Sequence, residues 1–243
     1  MLFTKRQNVR KDNCHVVNVK KNMKKESSEK RKCRYTHLIW DFNGTILDDV
    51  QLGIDSVNAM LTRRGLPAIP DKDAYREIFR FPIIEYYRDL GFDFDREDYY
   101  SVLAPEWVAN YMAGEPDCPT IPGVRETIGS VRRMGVTQVL ISASFEPQLW
   151  EQLRHLGLED TFNEVCGLDN IHACSKRQLV EAWMARHPGA VPLFVGDTLH
   201  DAEVADAVGA DCVLFCGGHQ SKKRLSLAGK PIIEEISLLP TLL

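Results

Sequence analysis

Three aspartates, a serine and a lysine, scattered over a chain of 243 residues, share one kind of local setting. Asp41 closes the apolar run His37-Leu38-Ile39-Trp40, Ser142 closes Val139-Leu140-Ile141, and Asp197 follows Leu193-Phe194-Val195-Gly196. Asp201 lies one helical turn beyond Asp197, and Lys176 stands at a predicted helix start in the remaining crossover. Each apolar run reads as a buried strand, so each of these polar groups sits at a strand's carboxyl end or just beyond it. Carboxylates gathered at one place raise one another's pKa unless a cation is shared among them. Oxygen donors of this kind suit Mg²⁺, which keeps several waters and accepts one or two carboxylates together with substrate phosphate oxygens. A lysine and a serine hydroxyl beside such an ion are phosphate ligands, one by charge and one by hydrogen bonding. Metal-assisted phosphoryl transfer is the chemistry that this set supports.

The elements that must position these groups follow from periodicity. After the Asn43-Gly44 turn, Asp48 and Asp49 sit where a helix N-terminus favours negative charge, and Val50, Ile54, Val57 and Leu61 recur at helical spacing until Gly65 and Pro67. Further helices are predicted at Tyr75–Phe79, Ile83–Asp89 and Arg96–Tyr111; the stretch from Tyr75 to Tyr111 holds 11 of the 21 aromatic residues, enough for a small core of its own. Pro116 to Gly123 marks the return to alternation. A helix at Val124–Met134 precedes the Ser142 strand, and Leu149, Leu153 and Leu156 mark the next helix. Residues 163 to 167 are a weaker strand candidate, followed by a helix capped by Ser175 and stopped at Pro188-Gly189. Asp211–Phe215 is a further strand, and Pro231–Leu243 a terminal strand and helix. Strands alternating with helices imply an α/β fold, a Rossmann-like parallel sheet in three α/β/α layers. The expected organisation is a basic tail at 1–34, an α/β core at 35–48 and 117–243, and an all-helical cap inserted at 49–116.

Composition bounds the rest. With 44% apolar residues the chain can build a sizeable core. No run approaches the roughly 20 apolar residues that span a bilayer, and the N-terminus lacks a secretory h-region. Seven cysteines without a C-x-x-C pair read as reduced thiols, so a cytoplasmic setting is expected. Zinc at Cys212, Cys216 and His219 is disfavoured because the spacing lacks a fourth ligand, and His219 reads as part of a surface turn. Residues 1 to 34 carry 12 of the 30 Lys and Arg and 3 of the 34 acids, a local charge of +9 against −13 for the remainder. That tail reads as disordered; apart from a weak contact by it, no nucleic-acid partner is expected, nor a membrane partner, and nothing in the sequence fixes an oligomeric state.

Asp41-Phe42-Asn43-Gly44-Thr45, the run into Ser142, Lys176, and Gly196-Asp197-Thr198-Leu199-His200-Asp201 resemble the four ordered motifs of the haloacid dehalogenase superfamily, over about residues 36 to 235. The likeness is nearest to its phosphoglycolate phosphatase-like branch with a helical cap. The resemblance implies a phosphatase acting on a small phosphorylated metabolite, with Asp41 as nucleophile in an aspartyl-phosphate mechanism. It implies Mg²⁺ held by Asp41, the backbone carbonyl of Asn43 and Asp197, with Asp201 either completing the shell or orienting it and Lys176, and a phosphoryl group held by Ser142 and Lys176. Gly44, Thr45, Ala143, Ser144 and the cap's Arg80 are the further substrate contacts expected.

One position departs from that pattern. Ordinary phosphatases of the family carry Asp two residues after the nucleophile, as the acid for the leaving oxygen and the base for water; this chain has Asn43. General acid–base catalysis contributes typically 10² to 10⁴ in rate, and an amide supplies none of it. Three outcomes stay open: substrates with good leaving groups such as acyl phosphates or anhydrides, a proton from His200 or a cap residue, or a phosphate- and metal-binding regulatory protein with vestigial catalysis.

Overall fold

Leu38, Ile39 and Trp40 are fully buried in strand β1 (His37–Trp40), the position where a continuous apolar run is required because both faces of the sheet are covered. The computed structural model describes residues 33–172 and 175–243. The expected basic tail lies almost wholly outside these residues.

Between β1 and the next strand come helices alone: α1 (Val50–Arg63), α2 (Lys72–Ile78), α3 (Ile83–Asp89) and α4 (Ala104–Gly114). The single helix expected at 96 to 111 is broken. A π-helical turn occupies Tyr99–Leu103, and α4 starts afresh with Pro105 in its first turn, where the missing N–H is harmless. These helices share a separate apolar cluster in which Val57, Met60 and Leu61 of α1 meet Tyr75, Tyr86 and Tyr87. An ion network at Arg64, with Glu97 at 2.5 Å and Glu106 at 2.6 Å, ties α1 to the chain around α4.

The chain then alternates: α5 (Val124–Arg133), β2 (Thr137–Phe145), α6 (Glu146–His155), β3 (Glu164–Leu168), α7 (Arg177–Arg186), β4 (Pro192–Gly196), α8 (Leu199–Ala207), β5 (Asp211–Phe215), α9 (Lys222–Leu225) and β6 (Ile232–Ile233). The sheet order is β3-β2-β1-β4-β5-β6 with every pairing parallel. Leu140, Val131 and Leu153 belong to the core on one face; Ile141, Trp183 and Ala205 belong to the core on the other. This is the expected three-layer α/β architecture. Strand order reverses between β1 and β4, so the crevice beyond their carboxyl ends is where a ligand fits an open parallel sheet. The C-terminal helix is a 3₁₀ turn, Ile236–Thr241, that contains Pro240.

Candidate active site

Two aspartates leave the sheet side by side because their strands are neighbours. Trp40 of β1 pairs with Val195 of β4, and the Asp41 N–H continues the ladder by donating to the Val195 carbonyl at 2.9 Å. Asp197 follows Gly196, the last residue of β4. Asp201 enters from the first turn of α8, where its carboxylate accepts from the Thr198 N–H at 3.0 Å and the Thr198 hydroxyl at 2.6 Å, a capping box. One carboxylate oxygen from each of Asp41, Asp197 and Asp201 lies within 4.8 Å of the others. Lys176, the N-cap residue of α7 and only 3% exposed, ion-pairs with Asp41 and, at 2.6 Å, with Asp201. The Ser175 hydroxyl next to it accepts from Arg177 N–H at 3.1 Å, so the expected cap interaction is made one residue before the N-cap.

Backbone closes tightly around these groups. Gly44 adopts φ +68°, and a Cβ there would collide with the Asp197 carboxylate. At Gly196 a Cβ would run into Asp201. Both glycines are therefore required by the close approach of carboxylates.

Burial is what sets the charge states. It raises Asp41 to about 6 and Asp197 to about 8, Asp201 adding to the rise in both, while Lys176 opposes it at Asp41 and His219 at Asp197. For Asp201 the upward push of burial is outweighed by Lys176, and the carboxyl stays below its ordinary value. Carboxyls pushed upward by burial and by one another form a set of hard oxygen donors in want of positive charge, which fits a divalent cation.

Asn43 is held from both ends of its amide. Its Oδ1 accepts from the Ser144 hydroxyl at 2.8 Å, and Ser144 in turn accepts from the Ser142 hydroxyl at 3.0 Å. Its Nδ2 donates to Asp49 at 2.8 Å and to the Tyr111 hydroxyl at 2.9 Å, and Tyr111 donates to Asp49 at 2.7 Å. Asp49 is the group that sequence reasoning missed. It precedes α1 as its N-cap without capping it, is 2% exposed, and also accepts from Gly44 N–H at 2.8 Å. His219 faces it at 3.2 Å.

His219 lies in no surface turn. It is buried, its Nδ1 is 2.8 Å from the Tyr75 hydroxyl, and its N–H donates to Asp197 at 2.5 Å. Burial would lower it, but Asp49 and the neighbouring aspartates raise it to about 9, so it is an imidazolium at neutral pH. Asp49 is held below its ordinary value, burial being outweighed by His219 and by the Asn43 and Tyr111 hydrogen bonds. Tyr75 is in α2 and Tyr111 in α4, so this network joins the inserted helices to the sheet.

The remaining expected residues divide. Ser142, Ala143 and Ser144 line the cavity above Asp41, but they lie within β2, which runs on to Phe145. Thr45 is fully buried and its hydroxyl donates to Asp197 at 3.3 Å, so it holds an aspartate and does not face substrate. The Gly44 N–H is engaged by Asp49 and by the Leu47 carbonyl at 3.0 Å, which removes it as an anion donor. Arg80 is 39% exposed on its side chain, pairs with Asp89 at 2.8 Å, and is not on the cavity wall. Acids of its own segment take up its terminal nitrogen, Asp89 and, at 3.9 Å, Glu85, while its Nε is buried without a partner. The cavity has a volume of about 160 Å³, with Ser142, Ala143 and Lys176 on one side and aromatic side chains of α2, α3 and α4 on the other.

The sequence is 25% identical over 205 residues to a phosphoglycolate phosphatase of Pseudomonas putida, which covers 82% of this chain and 73% of that protein. It is 26% identical over 186 residues to the tyrosine-protein kinase PtkA of Mycobacterium tuberculosis, covering 75% of this chain and 62% of that one. Among solved structures, a haloacid dehalogenase-like family hydrolase from Streptococcus pneumoniae superposes with a TM-score of 0.73 at 16% identity, over 85% of this chain and 97% of the other. The family described as haloacid dehalogenase-like hydrolase matches residues 38–215, the span from β1 to β5 that carries Asp41, Ser142, Lys176, Asp197 and Asp201. The chain therefore belongs to the haloacid dehalogenase-like hydrolase family.

Proposed function

We propose that the chain is a Mg²⁺-dependent phosphohydrolase that takes the phosphoryl group of a small phosphorylated substrate onto Asp41 and passes it to water. The observation that carries this reading is the convergence of Asp41, Asp197, Asp201 and Lys176 on the floor of one cavity. A carboxylate oxygen of Asp41 attacks phosphorus and splits one difficult hydrolysis into two displacements. Lys176, already against Asp41, neutralises the phosphoryl oxygens, and the Ser142 hydroxyl donates a hydrogen bond to them. Mg²⁺, held by Asp41, Asp197, Asp201 and the main-chain carbonyl of Asn43, supplies charge neutralisation and a fixed orientation for the phosphoryl group. The helices between β1 and β2 serve as the cap, bringing Tyr75 and Tyr111 to the network around Asp49.

The names of the relatives, a phosphoglycolate phosphatase and a tyrosine-protein kinase, share phosphoryl transfer and differ in substrate. That supports the reaction class and leaves the substrate to the cavity. Asn43 favours a second reading, a phosphate- and metal-binding protein with vestigial turnover, because an amide locked between Ser144 and Asp49 carries no proton to a leaving group. The two readings separate in a phosphate-release assay on an activated aryl phosphate, with and without Mg²⁺, using Asp41→Asn as the blank. Release that needs both Mg²⁺ and Asp41 is expected of the enzyme; binding of phosphate with no Asp41-dependent release supports the second reading.

A further inference from the structure

The cavity wall identifies what kind of leaving group it accepts. The cavity that holds Asp41 is also lined by Phe79, Phe81, Tyr87 and Trp107, with Tyr111 stacked on Trp107 at 4.7 Å between ring centroids. Among the described residues on the wall, the basic side chains are Lys176, His219 and His200, the last stacked on Phe81 at 4.8 Å and turned to Glu203 at 3.6 Å. Lys176 is taken up by Asp41 and Asp201, and His219 by Asp49. Four carboxylates, Asp41, Asp49, Asp197 and Asp201, face those two cations, so a divalent ion brings the site to neutrality and no positive charge is left for an acidic substituent on the substrate. Arg80, between the wall residues Phe79 and Phe81, is held by Asp89 outside it. A carboxylate carried into this pocket on the leaving group would be desolvated without a partner.

The rest of the wall is largely apolar, Ile83, Val108 and Met112 joining the aromatic side chains there. A volume of about 160 Å³ is of the order that admits a single benzene-sized ring.

Resting on the phosphohydrolase reading, we propose that the substrate is an aryl phosphomonoester whose uncharged ring is seated among the cap aromatics. The chemistry agrees with Asn43. As the bond from Asp41 to phosphorus forms, the bond from phosphorus to the ring oxygen breaks and its electron pair departs on the phenolate. A phenol has a pKa of about 10, against about 15.7 for water and a similar value for alkyl alcohols, so the phenolate leaves without an acid and takes its proton from water. Water then attacks phosphorus, the Asp41 carboxylate is restored, and inorganic phosphate is released. The net reaction consumes one water and yields a phenol and phosphate.

The test uses non-hydrolysable analogues, so that intrinsic reactivity plays no part. Benzylphosphonate, methylphosphonate and phosphonoacetate are titrated calorimetrically into the full-length protein with Mg²⁺. Benzylphosphonate is expected to bind at least about ten-fold more tightly than methylphosphonate, with phosphonoacetate no tighter than methylphosphonate. Trp107→Ala, at a half-buried position, is expected to remove the benzyl advantage and leave methylphosphonate unchanged. Phosphonoacetate binding as tightly as benzylphosphonate, or a benzyl advantage untouched in Trp107→Ala and Trp107→Leu alike, overturns the aryl proposal while the phosphatase reading stands. Failure of all three to bind overturns the phosphate site itself, and the aryl proposal with it.

Discussion

Replacing Asn43 by Asp puts a carboxyl oxygen where the amide nitrogen now donates to Asp49 at 2.8 Å. Two unit charges at that separation repel by about 6 kcal/mol at an effective dielectric of about 20. The cheaper outcome is that the pair keeps one proton, which costs about 1.4 kcal/mol for each unit of pH above the ordinary carboxyl value near 4. A folded-state pKa raised in this way gives stability that is intact below the unfolded pKa and is lost as pH rises. Relative to the parent, Asn43→Asp is therefore expected to lose about 1 to 2 kcal/mol at pH 5 and about 5 to 6 kcal/mol at pH 8, read by urea denaturation in the absence of metal. Adding Asp49→Asn exchanges the positions of amide and carboxylate. The hydrogen bond between positions 43 and 49 is then restored, and most of the loss at pH 8 should return. The proton held by the single variant is also the acid that the parent lacks, so Asn43→Asp should accelerate alkyl phosphates far more than aryl ones. A loss independent of pH, or a double variant no more stable than the single one, would refute the assignment of Asn43 as a donor to a buried carboxylate.

Two further expectations follow from the same geometry. Without acid–base help from Asn43, the water step should lag behind attack on a good leaving group, so rapid mixing with an activated aryl phosphate in the presence of Mg²⁺ should show a burst of phenol approaching one per site; linear release from the first turnover would contradict this. Asp41 and Asp197, raised to about 6 and about 8, make the metal-free fold lose stability as pH climbs from about 4 to about 8, and a cation that displaces their protons reverses that loss. The rise in Tm on adding Mg²⁺ should accordingly be larger at pH 8 than at pH 5.5, and an equal or smaller rise at pH 8 would show that the ion does not compete with those protons.

The parts legible in the sequence are those fixed by short-range pattern. Asp41 and Asp197 follow apolar runs that become neighbouring strands, and the rule that ligands gather beyond strand ends placed them together correctly. Asp49 and His219 were misread for a different reason. A helix N-cap acid has the same spacing whether it is solvated or buried under Tyr111, and its partner His219 is 170 residues away. One signal was available: Gly217-Gly218-His219 follows β5, so the strand-end rule applied to that strand also would have brought His219 to the site. Arg80 failed as a substrate contact because spacing cannot tell a cation facing a cavity from one met by Asp89 on the surface. The break before α4 was marked by Pro105, a helix-start residue hidden inside an otherwise continuous aromatic pattern.

Asp41 as the point of covalent attachment is the claim on which the rest depends, and one measurement reaches it directly. The protein is quenched in acid during turnover of an activated aryl phosphate with Mg²⁺, digested, and its peptides are weighed by mass spectrometry. One phosphoryl group is expected, on the peptide that spans β1 and Asp41, labile to hydroxylamine as an acyl phosphate is, and absent from Asp41→Asn. Turnover that leaves that peptide unmodified, or a phosphoryl group found on another residue and retained in Asp41→Asn, would contradict it.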